Sequence, residues 1–269
     1  MTANVRRIAA IVRMELITMT SYRVDLLLQL LGVWYYAITF YFVGEFVGDP
    51  ESIGDLSGGY FEFVLVGSIV ASFATVGLQA FSAMISEEQN QGTLEPILTT
   101  PTPTWVLVVA SHVIPLLFVI LESIAMLAVG LAFFGSGISV IGMLAATPVL
   151  LLTATSFAPF GVLAAAFIIL VKRGDPLTGP ADQVVLLLSG AMFPIAVLPG
   201  WLEGIAQLIP ATHGVDATRD LAQRNQGLLE VVPELGILAG FTFIATPIAG
   251  FAFRRAVLVA RRAGTLGTY

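Results

Sequence analysis

Long apolar stretches separated by short polar breaks set the pattern of this chain. Each backbone group left unsatisfied in hydrocarbon costs several kcal/mol, so apolar runs of about 20 residues read as membrane-crossing helices. Six such runs stand at Leu26–Val43, Phe61–Ile85, Trp105–Phe134, Ile141–Val171, Gln183–Leu198 and Leu235–Phe253. Only Gly135-Ser136-Gly137 separates the third from the fourth, which predicts a tight turn between antiparallel helices. Ahead of the first run, Val5, Ile8, Val12, Leu16 and Met19 share one helical face, with Arg6, Arg7 and Arg13 elsewhere, so residues 4–20 predict an interfacial helix. Beyond the fifth run, Pro194, Pro199, Gly200, Gly204 and Pro210 break the chain into pieces that cannot cross as one helix. Residues 199–227 therefore read as an outer re-entrant or surface-lying pair of helices before the last span. The expected fold is all-α, a polytopic membrane protein with six transmembrane helices in one domain over residues 1–269.

Composition agrees with the pattern. Hydrophobic residues make up 57% of the chain and charged residues 11%, with a mean hydropathy of +0.92, whereas about a quarter of a soluble domain is charged. The absence of cysteine removes disulfides, thiolate zinc sites and thiol nucleophiles. The basic start runs into an amphipathic stretch without a small-residue cleavage pattern, so it does not read as a removable signal.

The placement of the cations matters more than the net charge of −6. They fall in four groups: Arg6, Arg7, Arg13 and Arg23; Lys172 and Arg173; Arg219 and Arg224; and Arg254, Arg255, Arg261 and Arg262. Lys and Arg are retained on the cytoplasmic side, so two basic ends demand an even number of crossings. Six spans with both termini cytoplasmic put Lys172-Arg173 inside and the acidic stretch Glu45, Asp49, Glu51 and Asp55 outside. Arg219 and Arg224 violate the rule, and Asp216 and Asp220 stand at helical spacing to pair with them on a solvated helix face.

The loop Ser86–Pro101 is polar and falls on the cytoplasmic side of this topology. Ser86 suits the cap of a short helix with Glu87 and Glu88 in its first turn; Gly92 suits its end, and Thr93 suits the cap of a second helix opening with Leu94, Glu95 and Pro96. Such a helix offers carboxylates, a hydroxyl and the apolar Leu94, Ile97 and Leu98 to a groove on a soluble partner.

The stretch from Glu88 through Gly92-Thr93-Leu94-Glu95 and Leu98 to Thr99-Thr100-Pro101 resembles the corresponding pattern of type-2 ATP-binding-cassette (ABC) exporter permeases. Ser189-Gly190-Ala191-Met192-Phe193-Pro194, Leu198-Pro199-Gly200-Trp201-Leu202, Pro210-Ala211-Thr212-His213 and Arg219 resemble the same family's signature after its fifth span. The likeness lies nearest the drug, lipid and polysaccharide export branch. It implies a coupling helix built from Glu87, Glu88, Gly92, Thr93, Leu94 and Glu95 that touches a separate ABC ATPase subunit. It also implies a second permease copy, identical or not, and an exit segment that includes Phe193, Pro194, Pro199, Trp201, Pro210 and His213. Gln89 stands where Arg is common, which puts one charge contact to the ATPase in question, and Ala211 stands where Leu is common. The only lysine, Lys172, follows Leu170-Val171, so no phosphate loop is present. ATP and Mg are thus expected on the partner, with no cofactor on this chain and no nucleic acid among its ligands.

Glu122 falls in the middle of the third run, where a charge costs roughly 2.5–3.5 kcal/mol or more. Two readings stand: a pathway residue sensing cationic substrate or protons, or a protonated carboxyl bonded to a neighbouring helix. His112 and His213 are too few for a metal site and lie in different segments; His112 reads as a polar helix-packing residue and His213 as a structural one. Pro115, Pro148 and Pro159 suit hinges or static bends equally. Rival functions are an ion-gradient-driven carrier using Glu122 and a non-transporting assembly factor.

Overall fold

The computed structural model describes residues 2–21, 23–47, 59–100, 102–171, 177–224 and 226–262. Eleven α-helices and one 3-10 turn account for most of these residues, and no strand occurs among them. Four helices, α3 (Tyr60–Asn90), α5 (Thr104–Phe134), α7 (Thr147–Val171) and α11 (Val232–Arg262), are long and apolar enough to cross a bilayer. The first predicted run lies within α2 (Arg23–Val47), a helix of 25 residues. Asp49, Glu51, Asp55, Pro101 and the Lys172-Arg173 pair lie outside the described residues.

Helix α7 is the hub, packing most extensively on α3 and α11. Its closeness to α3 depends on small residues, as expected where lipid gives helices no hydrophobic reason to associate. A Cβ at Gly77 would overlap the Ala154 carbonyl oxygen, and one at Gly161 would stand 2.6 Å from the Leu78 carbonyl oxygen. Outward faces remain apolar, with Leu117, Leu121 and Ile124 exposed on α5 and Phe243, Ile244 and Ile248 on α11. Exposure of that extent suits a hydrocarbon solvent.

Helix α1 (Thr2–Ser21) matches the interfacial segment and packs on α5. Of its predicted apolar face, Ile8 and Val12 are half-buried, whereas Val5 is 62% exposed. The residue that meets the core is Ile11, beside that face. Helix α2 joins α5 through aromatic contacts, Tyr41 on Phe134 at 4.3 Å and Trp34 on Phe133 at 4.8 Å.

The glycine break after the third run ends α5, with Gly135 in the left-handed region at φ 63°, but the expected helical hairpin does not form: α5 and α7 each pack chiefly on α3. The fourth run is not one helix. A turn at Ala146 divides α6 (Val140–Ala145) from α7, and Ser139 caps α6 by accepting a bond from the Gly142 amide at 3.1 Å. Glu62, at the start of α3, accepts a bond from the Gly137 amide and pins this turn.

The fifth run, Gln183–Leu198, also departs from a single helix. Helix α8 (Thr178–Leu188) has 11 residues and ends in a bend where Gly190 has φ 77°. A rise of 1.5 Å per residue gives α8 about 16 Å, half of a ~30 Å hydrocarbon core. A 3-10 turn (Ile195–Val197), α9 (Gly200–Ala206) and α10 (Pro210–Ala222) follow. Pro194 and Pro199 precede their turns as caps, and Pro210 opens α10, where a missing N–H costs nothing. Ala211 packs with Ala74 and Leu78 of α3, while the Ala222 carbonyl accepts from the Ser139 amide at 2.9 Å. Helix α10 thus runs from the level of the middle of α3 towards the end where α3 begins.

Candidate functional site: a polar bend, a buried arginine and a two-carboxylate cavity

The bend after α3 differs from expectation at its start. Ser86, Glu87 and Glu88 begin no new helix; they lie in the last turns of α3, which continues to Asn90. Gly92 then reverses the chain at φ 73°, a conformation that disfavours any side chain. Thr93 precedes α4 (Leu94–Thr99) but makes no side-chain cap. Its hydroxyl instead donates to the Glu88 carboxylate, and its amide donates to the Glu88 carbonyl at 2.9 Å. Gln91 Nε2 donates to Glu87 Oε1 at 2.6 Å, so both carboxylates are tied into the bend.

A second correction concerns the apolar residues of α4. Leu94 and Leu98 are buried in a cluster with Ile85 of α3, Leu107 of α5 and Ala256 and Ala260 of α11. They anchor α4 to the bundle and are not offered to a partner; burial of two leucines outweighs anything their exposure would gain. The outward surface is polar: Glu87, Gly92, Thr93 and Glu95 are exposed. Arg261 of α11 donates to the Leu98 carbonyl, a tie that sequence reading missed. Gln89 is 5% exposed with Oε1 unpartnered, so it faces inward and away from that surface.

At the other end of α3, Arg219 contradicts the solvated-face expectation. It is 6% exposed, and its Nη2 lies 3.0 Å from the Phe63 carbonyl and 2.9 Å from that of Gly190, with the guanidinium 3.4 Å from the centre of the Phe63 ring. The planar fork reaches the Gly190 carbonyl, in the bend after α8, and the Phe63 carbonyl, in the first turn of α3. Arg224 behaves as expected, pairing with Asp220 at 2.6 Å. Phe193 and Pro194 are half-buried in the bend, Trp201 is 71% exposed, and His213 Nε2 lies 2.9 Å from the Gln207 carbonyl oxygen. His112 is a packing residue, its Nδ1 2.6 Å from the Val108 carbonyl oxygen.

Glu122 lies on the rim of a cavity of about 230 Å³ lined also by Tyr36, Ser68, Ser72, Thr75 and Asp182. Asp182 of α8 accepts a hydrogen bond from Thr75, the central residue of α3, which sets this carboxylate at mid-bundle depth. Ser68 donates to the Tyr36 hydroxyl at 3.3 Å. Sequence reading missed Asp182 because it stands one residue ahead of the apolar run that it was taken to precede.

An all-helical bundle with apolar outward faces, a locked polar bend at one end and a broken helix before the last long one defines a multi-pass membrane protein. The sequence pattern of the ABC-2 type transporter family matches residues 2–222, and the chain belongs to that family. It is 24% identical over 200 residues to the probable multidrug ABC transporter permease YbhR of Escherichia coli, covering 74% of this chain and 54% of that protein. It thus spans about half the length of that relative. It is also 23% identical over 230 residues to nodulation protein J of Rhizobium meliloti (81% and 83% covered) and 25% identical over 233 residues to that of Rhizobium leguminosarum bv. viciae (81% and 84%).

Proposed function

We propose that the chain is the membrane subunit of an ATP-driven exporter in the cytoplasmic membrane, working as a pair of permease copies with a separate ABC ATPase. Both termini and the α3–α4 bend then face the cytosol, and the α9–α10 segment dips into the outer half of the bilayer. The observation that carries this reading is the bend itself. Its polar face, Glu87, Thr93 and Glu95, is exposed, while Leu94, Leu98 and Arg261 fix its other face to the bundle.

Closure of the ATPase on ATP presses this face. Helix α3, 31 residues and about 46 Å long, runs from the bend to Phe63, where Arg219 ties it to the Gly190 bend. A displacement at one end therefore reaches the exit segment through one rigid element, which is what alternating access requires. No kinase-like or nucleotide-hydrolysing step falls to this chain; ATP and Mg belong to the partner.

Glu122 and Asp182 favour cargo that carries a positive charge, because two carboxylates in a confined polar cavity focus a negative potential. Glu122 also supports a second reading, a carrier driven by an ion gradient with this carboxylate as its coupling site. Co-purification with an ATPase subunit, followed by hydrolysis stimulated by an organic cation in proteoliposomes, separates the two. Transport by the isolated chain under a proton gradient, without ATP, would favour the carrier.

A further inference from the structure

Two adjoining cavities open between α5 and α11. One, of about 340 Å³, lies beside α4 and is lined by Arg254, Arg261, Thr100, Thr102 and Thr104. The other, of about 740 Å³, is walled mainly by apolar residues, with Trp105 at its side and Gly250 in its α11 wall. Thr102, Thr104 and Arg254 line both, so the two form one groove with a cationic, hydroxyl-rich head and an apolar body. No carboxylate lines either part. Thr104 also opens α5, whose Pro103 cap supplies no side-chain bond, so the positive end of that helix lies at the same mouth.

The body has the length of a single leaflet. On α11 it extends from Arg254 to Thr246, eight residues or about 12 Å, against roughly 15 Å for half of the hydrocarbon core. We propose that this groove binds an anionic phospholipid from the leaflet at the α4 end, its phosphate against Arg254 and the threonine hydroxyls and one acyl chain along α11. A free phosphate would leave the apolar body unfilled, and a zwitterionic headgroup would bring its own cation to a mouth already positive. The inference depends on the bilayer placement proposed above and not on ATP-driven export.

Trp105 is 54% exposed in the groove and serves as the reporter. The protein carrying Trp34→Phe and Trp201→Phe, which leaves Trp105 as its only tryptophan, is reconstituted in phosphatidylcholine vesicles containing a small fraction of brominated phosphatidylglycerol or brominated phosphatidylcholine. Quenching should show roughly five-fold preference for the anionic lipid, the size of one arginine contact at a charged membrane surface. Arg254→Gln should bring that preference close to one. Gly250→Leu should do the same by filling the groove, since a Cβ there meets nothing within 4 Å; Gly240→Leu, equally unobstructed on the same helix but outside the groove, should leave it intact. Equal quenching by the two lipids before any groove substitution would overturn the proposal. So would a preference lost in Arg254→Gln but kept in Gly250→Leu, because the anion would then be held without its chain.

Discussion

At the scale of single residues, the proposed coupling motion depends on the Glu88–Thr93 contact, which ties the two sides of the bend together. Thr93→Val removes the hydroxyl that Glu88 accepts from and leaves Leu94 and Leu98 in place. Expression and membrane insertion should be unchanged, while transport per ATP hydrolysed falls several-fold; full coupling in this variant would show that the contact carries no motion. Glu122→Gln and Asp182→Asn should each weaken transport of an organic cation by about ten-fold, the equivalent of ~1.4 kcal/mol, and leave a neutral cargo unaffected. Equal losses for both cargoes would point to structural damage in the cavity. Arg219→Met strips charged hydrogen bonds from the Phe63 and Gly190 carbonyls, at a cost of about 1.5–3 kcal/mol. Thermal unfolding in detergent should register that loss, and Arg219→Lys should recover little of it because an ammonium lacks the planar fork. The role of Arg219 was not legible in the sequence: its spacing from Asp216 fits a surface ion pair equally well, and only the return of α10 past the start of α3 turns it inward.

At the scale of elements, the apolar runs give α3, α5 and α11 to within several residues on the side where hydrocarbon ends abruptly. The polar residues Ser86 to Asn90 misled, because Glu and Gln are good helix formers and prolong α3 beyond its apolar run. The fifth run misled for a different reason. Residues 184–188 are apolar and helical, yet Ser189-Gly190 ends the helix after only half a bilayer. A hydropathy window cannot tell where α8 begins in depth, so Asp182 looked like a residue at a boundary when the fold sets it beside the centre of α3. Close helix contact was likewise hidden, since nothing local distinguishes Gly77 from Gly240. Gly77→Ala should destabilise by about 1–3 kcal/mol through overpacking against Ala154. Gly240→Ala, which meets no atom within 4 Å, should be neutral or slightly stabilising; equal unfolding temperatures for the two variants would refute the packing argument.

At the scale of the whole molecule, family membership and a helical bundle with lipid-facing walls were both legible, because they depend on composition, run length and two ordered motifs. The proposed direction rests only on the arginine and lysine clusters, and the account of function depends on it. An ATPase in the cytosol can push on this protein only if Glu95 and its neighbours face it. The chain contains no cysteine, so a single one can be introduced at Glu95 without removing others. Labelling of Glu95→Cys by an impermeant maleimide, in sealed vesicles of each orientation, tests the claim most directly. The account predicts modification only when the cytosolic face is outward, with protection once the ATPase subunit is bound; modification from the external medium of intact cells would contradict it.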